Sequence, residues 1–103
     1  MNVEFLEPAA RELYEAVVFY DIQRQGLGQE FAEEVQDTIE RIQQNPEAWT
    51  TISSSKRARR CLTNRFPYGI IYQIRQDTLL IVAVWHLRRR PQAWQDRVSK
   101  NEQ

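Results

Sequence analysis

The sequence predicts an α+β fold in which a two-helix hairpin packs on one face of a mainly antiparallel sheet. Three observations predict it. The first half of the chain carries two apolar stripes at helical spacing, the second half alternates with a period of two, and the 103 residues suffice for one core built with three Trp, four Tyr and four Phe. Neither layer can bury its apolar face alone, so the hairpin and the sheet require each other. One domain spanning residues 1–103 is expected.

Asn2 to Leu6 alternates Val3 and Phe5 with polar neighbours and reads as a short strand, expected at a sheet edge beside the last strand or the hairpin's return. Pro8 suits the first turn of a helix, where its missing N–H is harmless. Ala10, Leu13, Val17 and Tyr20 then form one apolar stripe. Gly26 and Gly28 interrupt the pattern and predict a turn. Phe31, Val35, Ile39 and Ile42 form the second stripe, and Asn45-Pro46 ends it because a residue before proline is driven out of the helical region.

After Trp49 the character changes. Ser53 to Ser55 reads as a loop, and Arg59 to Arg65, Tyr68 to Arg75 and Leu79 to Leu87 read as an antiparallel three-stranded meander. Gln76-Asp77 supplies the tight turn between the last two. The third strand is apolar on both faces, as a central strand should be. A short helix is expected from Pro91 to Val98.

Composition sets limits on function. The longest apolar run, Leu79 to Trp85, has seven residues, against the about 20 needed to cross a bilayer. Glu4 and Glu7 stand where a signal peptide would be positively charged, and a lone Cys61 fits a reducing compartment, so a cytoplasmic location with no membrane partner is expected. One His and one Cys cannot fill a metal site, no Gly-rich phosphate loop is present, and no cofactor is expected. Cys61, flanked by Arg60, reads as a core residue or, less simply, as an activated thiol.

The zero net charge conceals a division. Residues 1–52 hold three Arg against eleven acids, a balance of −8; residues 53–103 hold nine Arg and two Lys against three acids, a balance of +8. Either the halves neutralise each other within the fold, or the basic half meets an anionic partner. Arg suits bidentate contact with phosphate or carboxylate. The run Trp85-His86-Leu87-Arg88-Arg89-Arg90-Pro91-Gln92-Ala93-Trp94 concentrates this charge at the end of a buried strand, with Arg60 and Arg65 approaching from the rest of the meander. Three adjacent like charges repel and call for a reason. The candidate binding residues are Arg60, Arg65, His86, Arg88, Arg89, Arg90 and Trp94.

Arg65-Phe66-Pro67-Tyr68-Gly69-Ile70-Ile71-Tyr72, a polar turn, an apolar strand, then His86-Leu87-Arg88-Arg89-Arg90-Pro91 and Trp94 resembles the RelE/ParE superfamily of bacterial toxins. The resemblance covers essentially the whole chain, including Pro8-Ala9-Ala10 and Asn45-Pro46. It implies a type II toxin held inactive by a cognate antitoxin whose flexible segment wraps it. Two activities are known in the superfamily. The RelE-like branch cleaves mRNA on the ribosome with cations on two central strands and a C-terminal aromatic hydroxyl. Aligned through Tyr68 and Tyr72, the second-strand cation position is Gly69 here, the partner of Arg60 two residues on is Leu62, and the terminal hydroxyl position is Trp94, whose indole only donates. Arg60 and Arg88 remain, with His86 as a substitute acid or base in that metal-independent chemistry. The ParE-like branch lacks the cleavage residues and poisons DNA gyrase, and this sequence resembles it more closely. The expected function is therefore gyrase inhibition by binding, with ribosome-dependent mRNA cleavage as the alternative and a non-toxic binding protein of the same fold as a third class. An acidic and apolar antitoxin segment would suit the basic half.

Overall fold

The computed structural model describes residues 1–52 and 57–101, and side chains as far as Val98. Its order is β1 (Asn2–Phe5), α1 (Glu7–Gln23), α2 (Leu27–Gln44), β2 (Thr50–Thr51), β3 (Arg59–Leu62), β4 (Tyr68–Arg75), β5 (Thr78–His86) and α3 (Gln92–Asn101). The sheet order is β1-β5-β4-β3-β2. β1 lies at an edge beside β5, as expected, and runs parallel to it; all other pairs are antiparallel.

The hairpin covers one sheet face. Phe31, Val35, Ile39 and Ile42 of α2 and Ala9 and Ala16 of α1 are buried against Cys61, Ile70, Tyr72, Leu79, Ile81 and Val84. The other face carries Ile71, Val82, Ala83 and Trp85, which Trp94 and Val98 of α3 cover. β5 is thus buried on both faces, the reason for its unbroken apolar run. Alternation in β4 holds, with Ile70 and Tyr72 toward the hairpin and Ile71 toward α3.

A register shift interrupts the β4–β5 ladder between Ile71 and Tyr72: Ile71 pairs with Ala83 and Tyr72 with Ile81, so Val82 has no partner on β4. Both Val82 and Ala83 face α3, and Val84 returns to the hairpin side. A bulge of this kind re-aims the rest of the strand. It sets the orientation of Trp85 and His86.

Several boundaries differ from the sequence reading. The strand expected through Arg65 ends at Leu62, because the Thr63 hydroxyl donates to the carbonyls of Phe66 (2.7 Å) and Tyr68 (3.2 Å) and folds the chain into a turn. The two-residue β2, paired with Arg59 and Arg60, was not foreseen; two threonines give no readable period. α3 begins one residue after Pro91 and runs on to Asn101. The expected Ser53–Ser55 loop lies outside the described residues. Gly26 does form the turn, at φ 92°, but Gly28 lies inside α2 and is buried. A Cβ there would lie 2.4 Å from the Val17 carbonyl oxygen, so Gly28 marks a close crossing of the two helices.

No described helix is long and apolar enough to cross a membrane.

Candidate target-binding surface

The last pair of the β4–β5 ladder is Tyr68 with His86. Beyond it, the Leu87 N–H donates to the Pro67 carbonyl (2.9 Å) and the Arg89 N–H to the His86 carbonyl (3.0 Å), so the chain turns sharply at the sheet end. The Arg88 N–H donates to His86 Nδ1 at 3.1 Å. The Nδ1 side of the ring thus faces the turn as an acceptor. The Tyr68 ring packs edge-on to His86, centroids 5.1 Å apart. Burial pushes the Tyr68 hydroxyl above its ordinary range, and the neighbouring Tyr20 adds to the effect.

The three consecutive arginines are exposed, but they are not equivalent. The Arg89 guanidinium lies 4.0 Å from the Trp85 ring centroid, donates to Glu12 Oε2 at 3.4 Å, and its carbonyl accepts from Trp85 Nε1 at 3.3 Å. It is held in place by cation–π and ionic contact together. Arg88 and Arg90 make no ion pair among the described residues. Mutual repulsion within the run is thus relieved by one carboxylate on its middle member.

Arg60 joins this surface from β3. Its Cγ and Cδ would stand 2.9 Å from a Cβ at Gly69, so the arginine stem lies across β4 in the space a side chain there would fill. Arg60, Ile71, Trp85, Leu87, Arg89 and Gln95 line a groove of about 330 Å³ on the α3 face. Cationic heads over an apolar floor suit an anionic or amphipathic partner.

One candidate lies elsewhere. The Arg65 guanidinium donates to Glu30 (3.0 Å), its N–H bonds Glu34, and it stacks on Phe66, so it ties the β3–β4 turn to α2. The Arg65 and Arg24 hydrogen bonds hold the Glu30 carboxyl below its ordinary range. Trp94 is 5% exposed and forms core with Trp85 and Val98, anchoring α3, and it lines the same groove as Arg60 and Arg89. Cys61 is 1% exposed, and burial pushes its thiol up despite Arg41, so it is a protonated core residue.

Sequence reasoning missed two features. Glu12, an unremarkable helical acid in the sequence, is the carboxylate that holds Arg89. Tyr14, Val18, Phe19 and Ile22 project from the outer side of α1, with Ile22 80% exposed. Their signal was present: apolar residues at 14, 18 and 22 form a second helical series beside the buried one.

Comparison with known proteins agrees with this architecture. No individually curated protein matches the chain. Among solved structures, a chain described as the chromosomal ParDE TA system from P. aeruginosa superposes with a TM-score of 0.63 at 15% identity, covering 85% of this chain and 97% of the other. Residues 3–91 match the family model described as ParE toxin of type II toxin-antitoxin system, parDE, a span running from β1 to Pro91 and ending just before α3. With its helical hairpin and meander inside that span and all of its N-terminal strand but Asn2, the chain belongs to the ParE toxin family of type II toxin-antitoxin systems.

Proposed function

We propose that this toxin inhibits DNA gyrase by binding, and that a cognate antitoxin neutralises it. The observation that carries the choice of binding over mRNA cleavage is Gly69. The cleaving branch needs a cation there, and Arg60 fills the volume that any side chain at 69 would enter. Trp94, at the position of the branch's terminal hydroxyl, is buried where α3 packs on the sheet and offers no proton-transfer group. What remains at the sheet end is a set of exposed cations on a braced turn. That suits a surface that grips a partner, where Arg is a common anchor.

The contact set under this reading is Arg60, His86, Arg88, Arg89 and Arg90, with Trp94 acting by fixing α3 and Arg65 by fixing the turn. The antitoxin reading draws on the outer face of α1. Four large apolar side chains exposed on one helix are the kind of patch a partner covers.

Expression of the chain alone tests the reading. Gyrase inhibition stops DNA replication and induces the DNA-damage response while protein synthesis persists. Cleavage of mRNA would instead halt translation within minutes. In a reconstituted supercoiling assay, full gyrase activity at excess toxin would remove the gyrase assignment. Purification from the native operon with no small protein bound would remove the antitoxin assignment.

A further inference from the structure

On the α3 face of the sheet, Arg60 from β3 and Arg89 from the turn after β5 line one groove, and β4 lies between those two strands. Gly69 of β4 gives the room. It pairs with Leu62 on one side and Trp85 on the other, and the Arg60 stem lies over it, where a Cβ would come within 2.9 Å of Cγ and Cδ. The stem covers the glycine, which is buried, while Arg60 itself stays exposed. Leu62 and Leu87, 46% and 45% exposed, add apolar surface beside the two arginines.

The charge of the groove is one-sided. No acidic side chain lines it, and Arg60 makes no ion pair, among the described residues. Glu12 pairs with Arg89 at 3.4 Å but more closely with Arg97 at 2.8 Å, so one carboxylate serves two guanidinium groups. The aromatic rings of the groove are closed off. Trp85 and Trp94 are both buried, the Arg89 guanidinium lies over the Trp85 ring, and Trp85 Nε1 donates to the Arg89 carbonyl.

We infer that this groove binds a carboxylate side chain of the target protein between the Arg60 and Arg89 guanidinium groups, with the target's neighbouring aliphatic side chains on Leu62 and Leu87. The inference rests on the reading of this surface as one that grips a target. The arginine fork matches a carboxylate and a phosphate equally well, so the choice turns on the rest of the groove. Single-stranded nucleic acid takes much of its affinity from bases stacked on aromatic faces. Here both rings are buried, and Arg89 already covers one of them. A duplex backbone would meet the cations but leave the exposed leucines without an apolar partner. An acidic side chain flanked by aliphatic ones answers both. The patch assigned to the antitoxin lies on the outer side of α1, in the layer across the sheet, which leaves this face to the target.

The test titrates the full chain with capped peptides centred on Leu-Glu-Leu and Leu-Gln-Leu, an oligothymidylate and a short DNA duplex, followed by the indole N–H signals in NMR. The expected result is saturable binding of the glutamate peptide with a shift of the Trp85 indole signal, whose acceptor is the Arg89 carbonyl. The glutamine peptide keeps the shape without the charge and binds about fivefold more weakly or worse, the upper range of an exposed ion pair. Arg60→Gln and Arg89→Gln each weaken the glutamate peptide to that level, whereas Arg75→Gln, at the far end of β4, changes nothing. In the supercoiling assay, the glutamate peptide at saturation restores gyrase activity and the glutamine peptide does not. Equal binding of the two peptides, tighter binding of either nucleic acid at the groove, or indifference to Arg60→Gln each overturns the proposal. Saturable binding of the glutamate peptide without relief of inhibition overturns the assignment of the groove to the target. A chain that binds the glutamate peptide in this way yet never inhibits gyrase supports the groove chemistry and rejects gyrase as the target.

Discussion

Glu12 and Arg97, 85 residues apart in sequence, meet as a two-pronged ion pair, with N–O distances of 2.9 and 2.8 Å. The pair closes the stretch of β5 that β1 leaves bare beyond Phe5. Glu12 also accepts the Val84 N–H (3.1 Å), and Arg97 donates to the Val82 carbonyl (3.1 Å), so backbone groups of β5 beyond the reach of β1 are satisfied. Through Arg89, the same carboxylate also holds the candidate surface in place. Glu12 thereby joins α1, α3, the bulge and the arginine run.

Arg97→Met should therefore be far more damaging than a surface charge loss. The Glu12 side chain is 9% exposed and would keep only Arg89 as a countercharge. Breaking a buried pair from one side costs about 3–5 kcal/mol. Urea denaturation checks this, and the double variant Glu12→Gln, Arg97→Met should recover part of the loss.

Gly26 and Gly28 make a second, contrasting pair of predictions. Gly26→Ala meets no atom within 4 Å but must hold φ 92°, so about 1 kcal/mol is expected from conformation alone. Gly28→Ala pushes a methyl against the Val17 backbone, which cannot rotate away. The gain in helix propensity, up to about 1 kcal/mol, is outweighed by overpacking of about 1–3 kcal/mol and the parting of α1 from α2. Asp21 Oδ1, which accepts the N–H groups of both glycines, would lose its geometry as well. Thermal melts of the two variants should separate the causes.

The contrast also shows what the sequence could convey. The apolar stripes of α1 and α2 and the alternation in β4 were legible because burial on one face writes a period. Gly28 was read as turn punctuation because a glycine needed for space and one needed for φ look identical in one sequence. The candidate site was legible as a charge run at a strand end. The separate roles of Arg88, Arg89 and Arg90 were not, since Glu12 reaches Arg89 across the fold. The burial of Trp94 was not legible for the same reason: it depends on where α3 lies.

Alkaline pH should destabilise the fold through its tyrosines. Burial pushes the Tyr72 hydroxyl up to about 12, with Arg59 opposing, and the hydroxyl donates to the Pro46 carbonyl at 2.6 Å. Tyr20 and Tyr68 are also raised by burial. The unfolded chain ionises at an ordinary 10.0 while the folded one holds its protons, so the unfolded state binds fewer protons in this window. Stability is then fully present below pH 10 and falls as pH rises from 10 through 12. Denaturant midpoints across that range check the slope, and Tyr72→Phe should flatten it.

Arg88→Ala with Arg90→Ala should leave the melting temperature nearly unchanged, because neither makes an ion pair among the described residues, while gyrase inhibition is lost. Arg89→Ala should differ. It removes the cation from the Trp85 face and a partner from Glu12, so a loss of about 1 kcal/mol is expected in addition to weaker inhibition. Unchanged toxicity in the double variant would reject the surface assignment.

His86 is the single residue that separates a binder from a nuclease. A general base needs an open lone pair, and that of Nδ1 is already engaged by the Arg88 N–H. In this geometry the ring serves as a brace for the Arg88 backbone and is poorly placed to move protons. His86→Ala should then lower gyrase inhibition less than about tenfold, the range of one lost hydrogen bond, at about 0.5–1.5 kcal/mol. Positioned acid–base groups contribute about 10²–10⁴ in rate. A loss of several hundred-fold, with a pH profile that disappears in the variant, would place proton transfer at His86 and favour the mRNA-cleaving reading instead.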